Sequence, residues 1–251
     1  MSGHSKWHSI KHQKGVADAR RGKLFTKLTR EIIMASREKG SDPDLNARLR
    51  LAIQKAKDAN MPSDNIQRAI KRGEGALEGA NYQEATFEGY GPGGAAIMVS
   101  VQTDNRNRTV QEIRSSFSKS GGNLGENGSV AWLFDPKGII SIDTEGADPD
   151  EITLKAIDAG AEDVVTGEGY IEIYTLPEDM EDLLKALETA GITASSAEVS
   201  QVAKTTVSLD ESTQLQILRL LDKLEDLDDV QSVVSNVDFD DNVIEQYRSS
   251  Q

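Results

Sequence analysis

The chain has 251 residues, with 28 Lys and Arg against 42 Asp and Glu, a formal net charge of -14, no cysteine and only 5% aromatic residues. The missing cysteine excludes a disulfide scaffold, thiolate metal sites and a cysteine nucleophile. The low aromatic content directs the core toward Leu, Ile, Val and Ala, in helices and small sheets rather than one large barrel.

Residues 1–16 lack apolar periodicity and read as an arm carrying Lys6, Trp7, Lys11, His12 and Lys14. From Ala17 to Lys39, Leu24, Phe25, Leu28, Ile32 and Ala35 recur at helical spacing, and Gly40 ends the pattern. Asp42 followed by Pro43 announces a second helix with Leu45, Leu49, Ile53 and Ala56 on one stripe, stopping at Asn60-Met61-Pro62. Ser63 caps a short third helix, with Ile66 and Ile70 facing inward and Gly73 at its end. Residues 1–75 are thus expected to form a basic helical domain with an N-terminal arm.

Past a glycine-rich linker the pattern changes. Phe87 to Tyr90 and Ala95 to Val101 read as strands joined by Gly91-Pro92-Gly93-Gly94, and Thr109 with Glu112 forms a capping box for a helix reaching Ser118. From Gly138 to Val199 the order is βαββαβ, the ferredoxin-like motif. Thr205 to Leu209, Ser212 to Leu227 and Val230 to Val237 then give βαβ. The predicted fold class is α+β: a three-helix domain followed by two α/β domains, with residues 136–202 inserted as a ferredoxin-like unit into a domain formed by 76–135 and 203–251.

Charge is segregated along this plan. Residues 1–73 hold 17 Lys and Arg against 7 Asp and Glu, together with all 3 His, whereas the remainder holds 11 against 35. A basic head on an acidic body points to nucleic acid. Lys6, Lys11 and Lys14 precede no apolar signal region, and the apolar runs Ile32 to Ala35 and Ala95 to Val99 are too short to span a bilayer. A soluble, cytoplasmic protein with no membrane partner is expected.

Several motifs invite chemistry and lose it on context. Gly89 to Gly94 spells G-x-G-x-x-G, but a strand follows where dinucleotide binding needs a helix, and Pro92 removes an amide, so a hairpin turn is expected. His4, His8 and His12 recur every fourth residue, yet their flanks are cationic and no carboxylate precedes Asp18, which favours contact with phosphate or base over a metal site. The many acidic pairs of the body lack a His or Cys partner and read as a solvated face. No enzymatic activity, cofactor, metal or small-molecule substrate is expected.

The basic constellation carries the argument. Arg20, Lys23, Lys27, Arg30 and Arg37 lie opposite the apolar stripe of the first helix, and Arg21 is a further candidate contact. Arg48 and Lys55 flank one edge of the second helix's stripe, Arg50 and Lys57 the other, and Arg68, Lys71 and Arg72 close the third helix. Several cations presented together are what a polyphosphate strand requires. Trp7 could stack on an unpaired base or staple the arm to the helices. Arg106 and Arg108 stand at a helix start, where they fit a bound phosphate or a well-capped loop end equally. No helix-turn-helix with base-reading side chains is recognisable from the sequence.

The blocks Gly3-His-Ser-Lys-Trp7, Arg21-Gly-Lys-Leu-Phe-Thr-Lys27, Leu49-Arg-Leu-Ala-Ile53, Ala59-Asn-Met-Pro62, Glu88-Gly-Tyr-Gly-Pro-Gly-Gly94, Thr103-Asp-Asn-Arg-Asn-Arg-Thr109 and Gly121-Gly-Asn-Leu-Gly125 strongly resemble the YebC/PmpR family. The resemblance implies a helical N-terminal domain with two α/β domains. It also implies a probable DNA-binding transcriptional regulator, related to a mitochondrial translational activator of cytochrome oxidase subunit I. The alternative it leaves open is an RNA- or ribosome-binding translation factor, contacting ribosomal RNA through the head and basic ribosomal proteins through the acidic body.

Overall fold

The computed structural model describes residues 18–75, 77, 81–144, 148–167 and 169–250. Lys6, Trp7, Lys11, His12 and Lys14, the histidine spacing of the arm and the side chain of Arg20 lie outside the described residues. The chain divides into two compact units, residues 135–202 and the rest.

The larger unit opens with α1 (Asp18–Lys39), α2 (Ala47–Asp58) and α3 (Ser63–Gly73). Leu28, Ile32, Ile33 and Ala35 of α1 bury against Leu49, Ala52 and Ala56 of α2, Ile66, Ala69 and Ile70 of α3, and Met61 between them. Gly73 does more than end a helix. A Cβ there would stand 2.5 Å from the Ser36 Cβ and 2.7 Å from the Ile33 carbonyl oxygen, so α3 meets α1 at a distance that only glycine permits.

Two helix starts differ from those predicted. Asp42 to Leu45 form a turn closed by the Leu45 N–H on the Asp42 carbonyl at 3.2 Å, and Leu45, expected in the core stripe, is 82% exposed. The cap of α2 is Asn46, which is buried. Its oxygen accepts the Leu49 N–H at 3.1 Å, while its amide donates to the Ala35 and Gly40 carbonyls at 2.8 and 2.7 Å. Asparagine can cap one helix and tie down the end of the previous one because it carries both an acceptor and donors, whereas an aspartate has no donor. Asn46→Ala should therefore cost about 2 kcal/mol, read by urea denaturation, since both the cap and bonds to buried carbonyls disappear. At α3 the cap position is Pro62, with no side-chain hydrogen bond, and Ser63 is already helical.

The same unit continues with β1 (Gln83–Tyr90), β2 (Ala96–Thr103), α4 (Arg106–Lys119) and β3 (Asn123–Leu124), and the chain returns to it, after the smaller unit, with α7 (Glu211–Glu225), β8 (Val230–Ser235) and α8 (Asp241–Ser249). The sheet order is β3-β1-β2-β8. β1 and β2 pair antiparallel from Gln83↔Thr103 to Tyr90↔Ala96, joined by a tight turn in which Gly93 and Gly94 take φ of 68° and 78°. The glycine run is a hairpin. One sheet face carries Ile97, Val99 and Val233 under Ile113 and Phe117 of α4 and Ile217, Leu220 and Leu221 of α7. The cap of α4 is Asn105, which accepts the Arg108 N–H at 3.1 Å, and Thr109 lies buried inside the first turn. Residues 205–209 contribute one isolated parallel bridge, Val207↔Val237, rather than a strand. Helix α8 was not predicted, because Val243, Ile244 and Tyr247 repeat for barely two turns.

Glu88 is buried on β1 and accepts the backbone N–H groups of Gly128, Val130 and Ala131 at 2.7, 2.7 and 2.8 Å. Burial would raise its carboxyl pKa, but these three donors hold it below the usual carboxylate range. It thereby fixes the glycine-rich loop that precedes Trp132.

The smaller unit contains β4 (Phe134–Asp143), α5 (Pro149–Asp158), β5 (Asp163–Gly167), β6 (Tyr170–Thr175), α6 (Met180–Thr189) and β7 (Ser196–Ala203), the strands being ordered β5-β6-β4-β7. The first strand lies between the third and fourth, which is the ferredoxin-like arrangement. Ile140 and Ile142 of β4 and Ile171 and Ile173 of β6 are buried, as are Ile152 of α5 and Leu183 and Leu187 of α6. Residues 135–202 hold 17 Asp and Glu against 3 Lys. Each of those lysines is paired: Lys137 with Glu162, Lys155 with Glu151, and Lys185 with Glu181.

Candidate nucleic-acid interface

The cations of residues 18–75 fall into two groups that the sequence could not separate. Those on α1 were expected to contact nucleic acid from the face opposite the apolar stripe, and the structure turns that face toward the α/β part of the same unit. Lys23 Nζ donates to the Asp226 carbonyl at 3.0 Å and lies 3.6 Å from its carboxylate. Lys27 Nζ donates to the Glu225 carbonyl at 2.5 Å. Arg30 donates to the Asp228 carbonyl, pairs with Asp229 at 3.0 Å and sits 5.2 Å above the Tyr82 ring. These carbonyls are at and just beyond the C-terminal end of α7, where the helix dipole is negative and carbonyls lack helical partners. A row of ammonium and guanidinium groups fills that need.

Asp229 is the centre of this seam. It is 2% exposed, and its carboxylate accepts from Thr103, Thr109 and Arg108 at 2.9, 2.6 and 2.7 Å while facing Arg30. Burial would raise its pKa, but Arg108, Thr109, Thr103 and the charge of Arg30 hold it below the ordinary range. The Asp229 hydrogen bond and charge, with Asp104 beside it, raise the Arg108 guanidinium further above its already high value. Thus Thr103, Arg108 and Thr109, in the stretch open to a phosphate-binding reading, clamp an internal carboxylate. Arg106 lies 5.8 Å above the Phe87 ring. Asp228 and Asp229 were among the acidic pairs read as a solvated face, and the burial of Asp229 corrects that reading for this residue.

Other candidates are similarly engaged. Arg48 is bound by Glu31 at 2.8 Å, Glu38 at 2.7 Å and Glu84. Burial would lower its pKa, but these carboxylates raise it, and Arg48 in turn holds Glu84 below its usual value against burial. Arg50 donates to the Pro43 carbonyl at 2.9 Å, and Arg37 to Asn81 at 2.6 Å. Arg21 and Lys55 also have partners. Among the described residues, Lys23, Lys27, Arg30 and Arg48 thus tie the helices to the α/β part through polar contacts.

The second group faces outward. Arg68, Lys71 and Arg72 of α3 are exposed and occupy one helix face at i, i+3 and i+4, with Gln67 and Asp64 beside them. No ion pair to any of these three cations is present among the described residues. Lys57, near the end of α2, is likewise exposed. Two of the α3 cations sit in its last turn, where they also complement the dipole. Among the described residues no group of His, Asp or Glu could hold a metal ion, and no helix is long and apolar enough to cross a membrane.

Comparison with known proteins matches both parts of the chain. Residues 5–76 match the family model described as the TACO1/YebC protein N-terminal domain, and residues 82–237 match the TACO1/YebC second and third domain. A "probable transcriptional regulatory protein" of Dehalococcoides mccartyi (strain CBDB1) is 62% identical over 249 residues, covering 99% of each chain. A similarly named protein of Herpetosiphon aurantiacus is 56% identical over 248 residues, covering 98% of each. The crystal structure of a conserved hypothetical protein from Aquifex aeolicus superposes with a TM-score of 0.88 at 48% identity, covering 94% of this chain and 98% of that one. With both models matched in order and the fold shared, the chain belongs to the TACO1/YebC family.

Proposed function

We propose that this protein is a non-enzymatic, cytoplasmic regulator of gene expression that binds nucleic acid, in the first place duplex DNA. The observation that carries the reading is the outward face of α3, where Arg68, Lys71 and Arg72 are presented together without carboxylate partners among the described residues. Three adjacent cations can release several condensed counterions from one phosphate strand, which is the main source of affinity for a polyanion. The names of the relatives, probable transcriptional regulatory proteins, support regulation and favour DNA. Lys57 and the cationic arm with Lys6, Lys11, His12 and Lys14 are further contacts in this reading, and Trp7 a stacking one.

A second reading, an RNA- or ribosome-binding translation factor, is favoured by the acidic unit. With 17 carboxylates and each of its 3 lysines paired, residues 135–202 would repel nucleic acid and attract basic proteins. Cross-linking the protein in cells and sequencing the DNA and RNA that co-purify separates the two. Regulatory DNA regions should be enriched. In vitro, a preference for one promoter duplex over random duplex of about 10³-fold supports the first reading. Equal binding to all duplexes, with ribosomal RNA dominating the cellular cross-links, would replace it by the second.

A further inference from the structure

We infer that α2 and α3 form a helix-turn-helix unit in which α3 enters the DNA major groove and reads bases through Gln67 and Arg68. The inference rests on the nucleic-acid reading above and adds the groove, the helix and the reading residues. The sequence alone gave no sign of the motif. The structure supplies it through the connection: Ala59, Asn60, Met61 and Pro62 alone separate the two helices. Such a short, sharp turn needs a residue in the left-handed region, and Asn60 provides it with φ of 58°. The turn is closed by the Asn60 N–H on the Lys57 carbonyl and the Met61 N–H on the Ala56 carbonyl, both at 2.8 Å. Met61 turns inward, 5% exposed, and locks the corner into the helical core with Ala56, Ile66 and Ala69.

What remains outside is a polar reading head. Ile66, Ala69, Ile70 and Gly73 occupy the buried side of α3, so Asp64, Gln67, Arg68, Lys71 and Arg72 form its exposed side with no apolar residue among them. A groove-reading helix contacts base edges from its N-terminal half and phosphates from flanking cations. Gln67 lies in the first half and Arg68 at the midpoint of the helix, and their side chains match the paired groups of adenine and guanine edges, respectively. Lys71 and Arg72, one turn later, match the phosphate strand. Asp64 can accept from a cytosine amino group and would repel a phosphate, which favours a base position over a backbone one. The α1 cations support this by holding the helical bundle onto the α/β part, leaving α3 free.

The full chain and single variants should be used to select from a pool of duplex DNA with a randomised centre, followed by sequencing and by titration on the selected duplex and on RNA duplex of the same sequence. All substituted positions are exposed, and unchanged melting would confirm folding. Wild type should enrich a short motif. Gln67→Ala and Arg68→Ala should each relax the preference at one or two adjacent base pairs, by about tenfold to 100-fold. Arg72→Gln should keep the motif but weaken every duplex alike and reduce the salt slope by about one. A-form RNA duplex, whose major groove is too narrow for a helix, should bind weakly and without preference. An enriched motif untouched by both alanine variants, or RNA duplex bound as tightly as DNA, would overturn groove reading while leaving nucleic-acid binding intact. Failure to bind any nucleic acid would overturn both.

Discussion

Asp229→Ala is expected to lose about 3–5 kcal/mol of stability, the range for breaking a buried ion pair by deleting one partner. The loss arises because Arg30, whose side chain is 11% exposed, keeps its charge while its carboxylate disappears. Thr103 and Arg108 also lose an acceptor. In a chain of this size the melting temperature should fall by on the order of 10 °C. The same carboxylate has a pH signature. Its pKa is lowered on folding, so its stabilising contribution is present above the unfolded carboxylate value of about 3.9 and fades as pH falls below that value through the folded one. Asp229→Asn, which cannot ionise, should flatten this part of the acid limb, with Glu84 and Glu88, also lowered on folding, still contributing. Thermal melts of wild type and both variants between neutral pH and about pH 3 test this. Melting unchanged in the alanine variant would mean that the seam contributes nothing to stability.

How much of this was legible follows from which signals are local. The α+β class, the three-helix start and the βαββαβ order were readable because apolar periodicity is a property of neighbouring residues. Helix caps were less so. Asp42, Ser63 and Thr109 have the right chemistry, but the structure uses Asn46, Pro62 and Asn105, and at Asn46 the choice also reflects the carbonyls of Ala35 and Gly40 that its amide reaches. The cationic surface was legible only as a sum. A helical wheel marks Lys23, Lys27 and Arg30 as opposite the core, and they are, but it does not reveal that another part of the chain lies there with unsatisfied carbonyls and Asp229. Arg68, Lys71 and Arg72 look the same in the sequence and differ only in what stands opposite them. The turn at Asn60 was read as a helix stop, which it is, because a positive φ and an inward methionine are visible only in three dimensions.

Two triple variants of equal charge therefore separate the groups. Arg68→Gln, Lys71→Gln and Arg72→Gln, made together, should make the slope of log K against log salt shallower by about 2 to 3 on duplex DNA, since each cation neutralises about one phosphate. Stability should change little, because glutamine has similar helix propensity and the replaced side chains make no ion pair among the described residues. Lys23→Gln, Lys27→Gln and Arg30→Gln remove the same number of charges from α1. Here the slope should stay near that of wild type, whereas stability should fall by about 3 kcal/mol, mostly at Arg30, whose loss leaves part of the buried Asp229 carboxylate uncompensated. The two readouts should thus exchange between the variants: salt slope for α3, urea midpoint for α1. Net charge alone predicts equal slopes for both, through a general weakening of the basic head's field. Equal slopes would therefore remove α3 from its special place, and a steeper loss in the α1 variant would mean that the seam opens when nucleic acid binds.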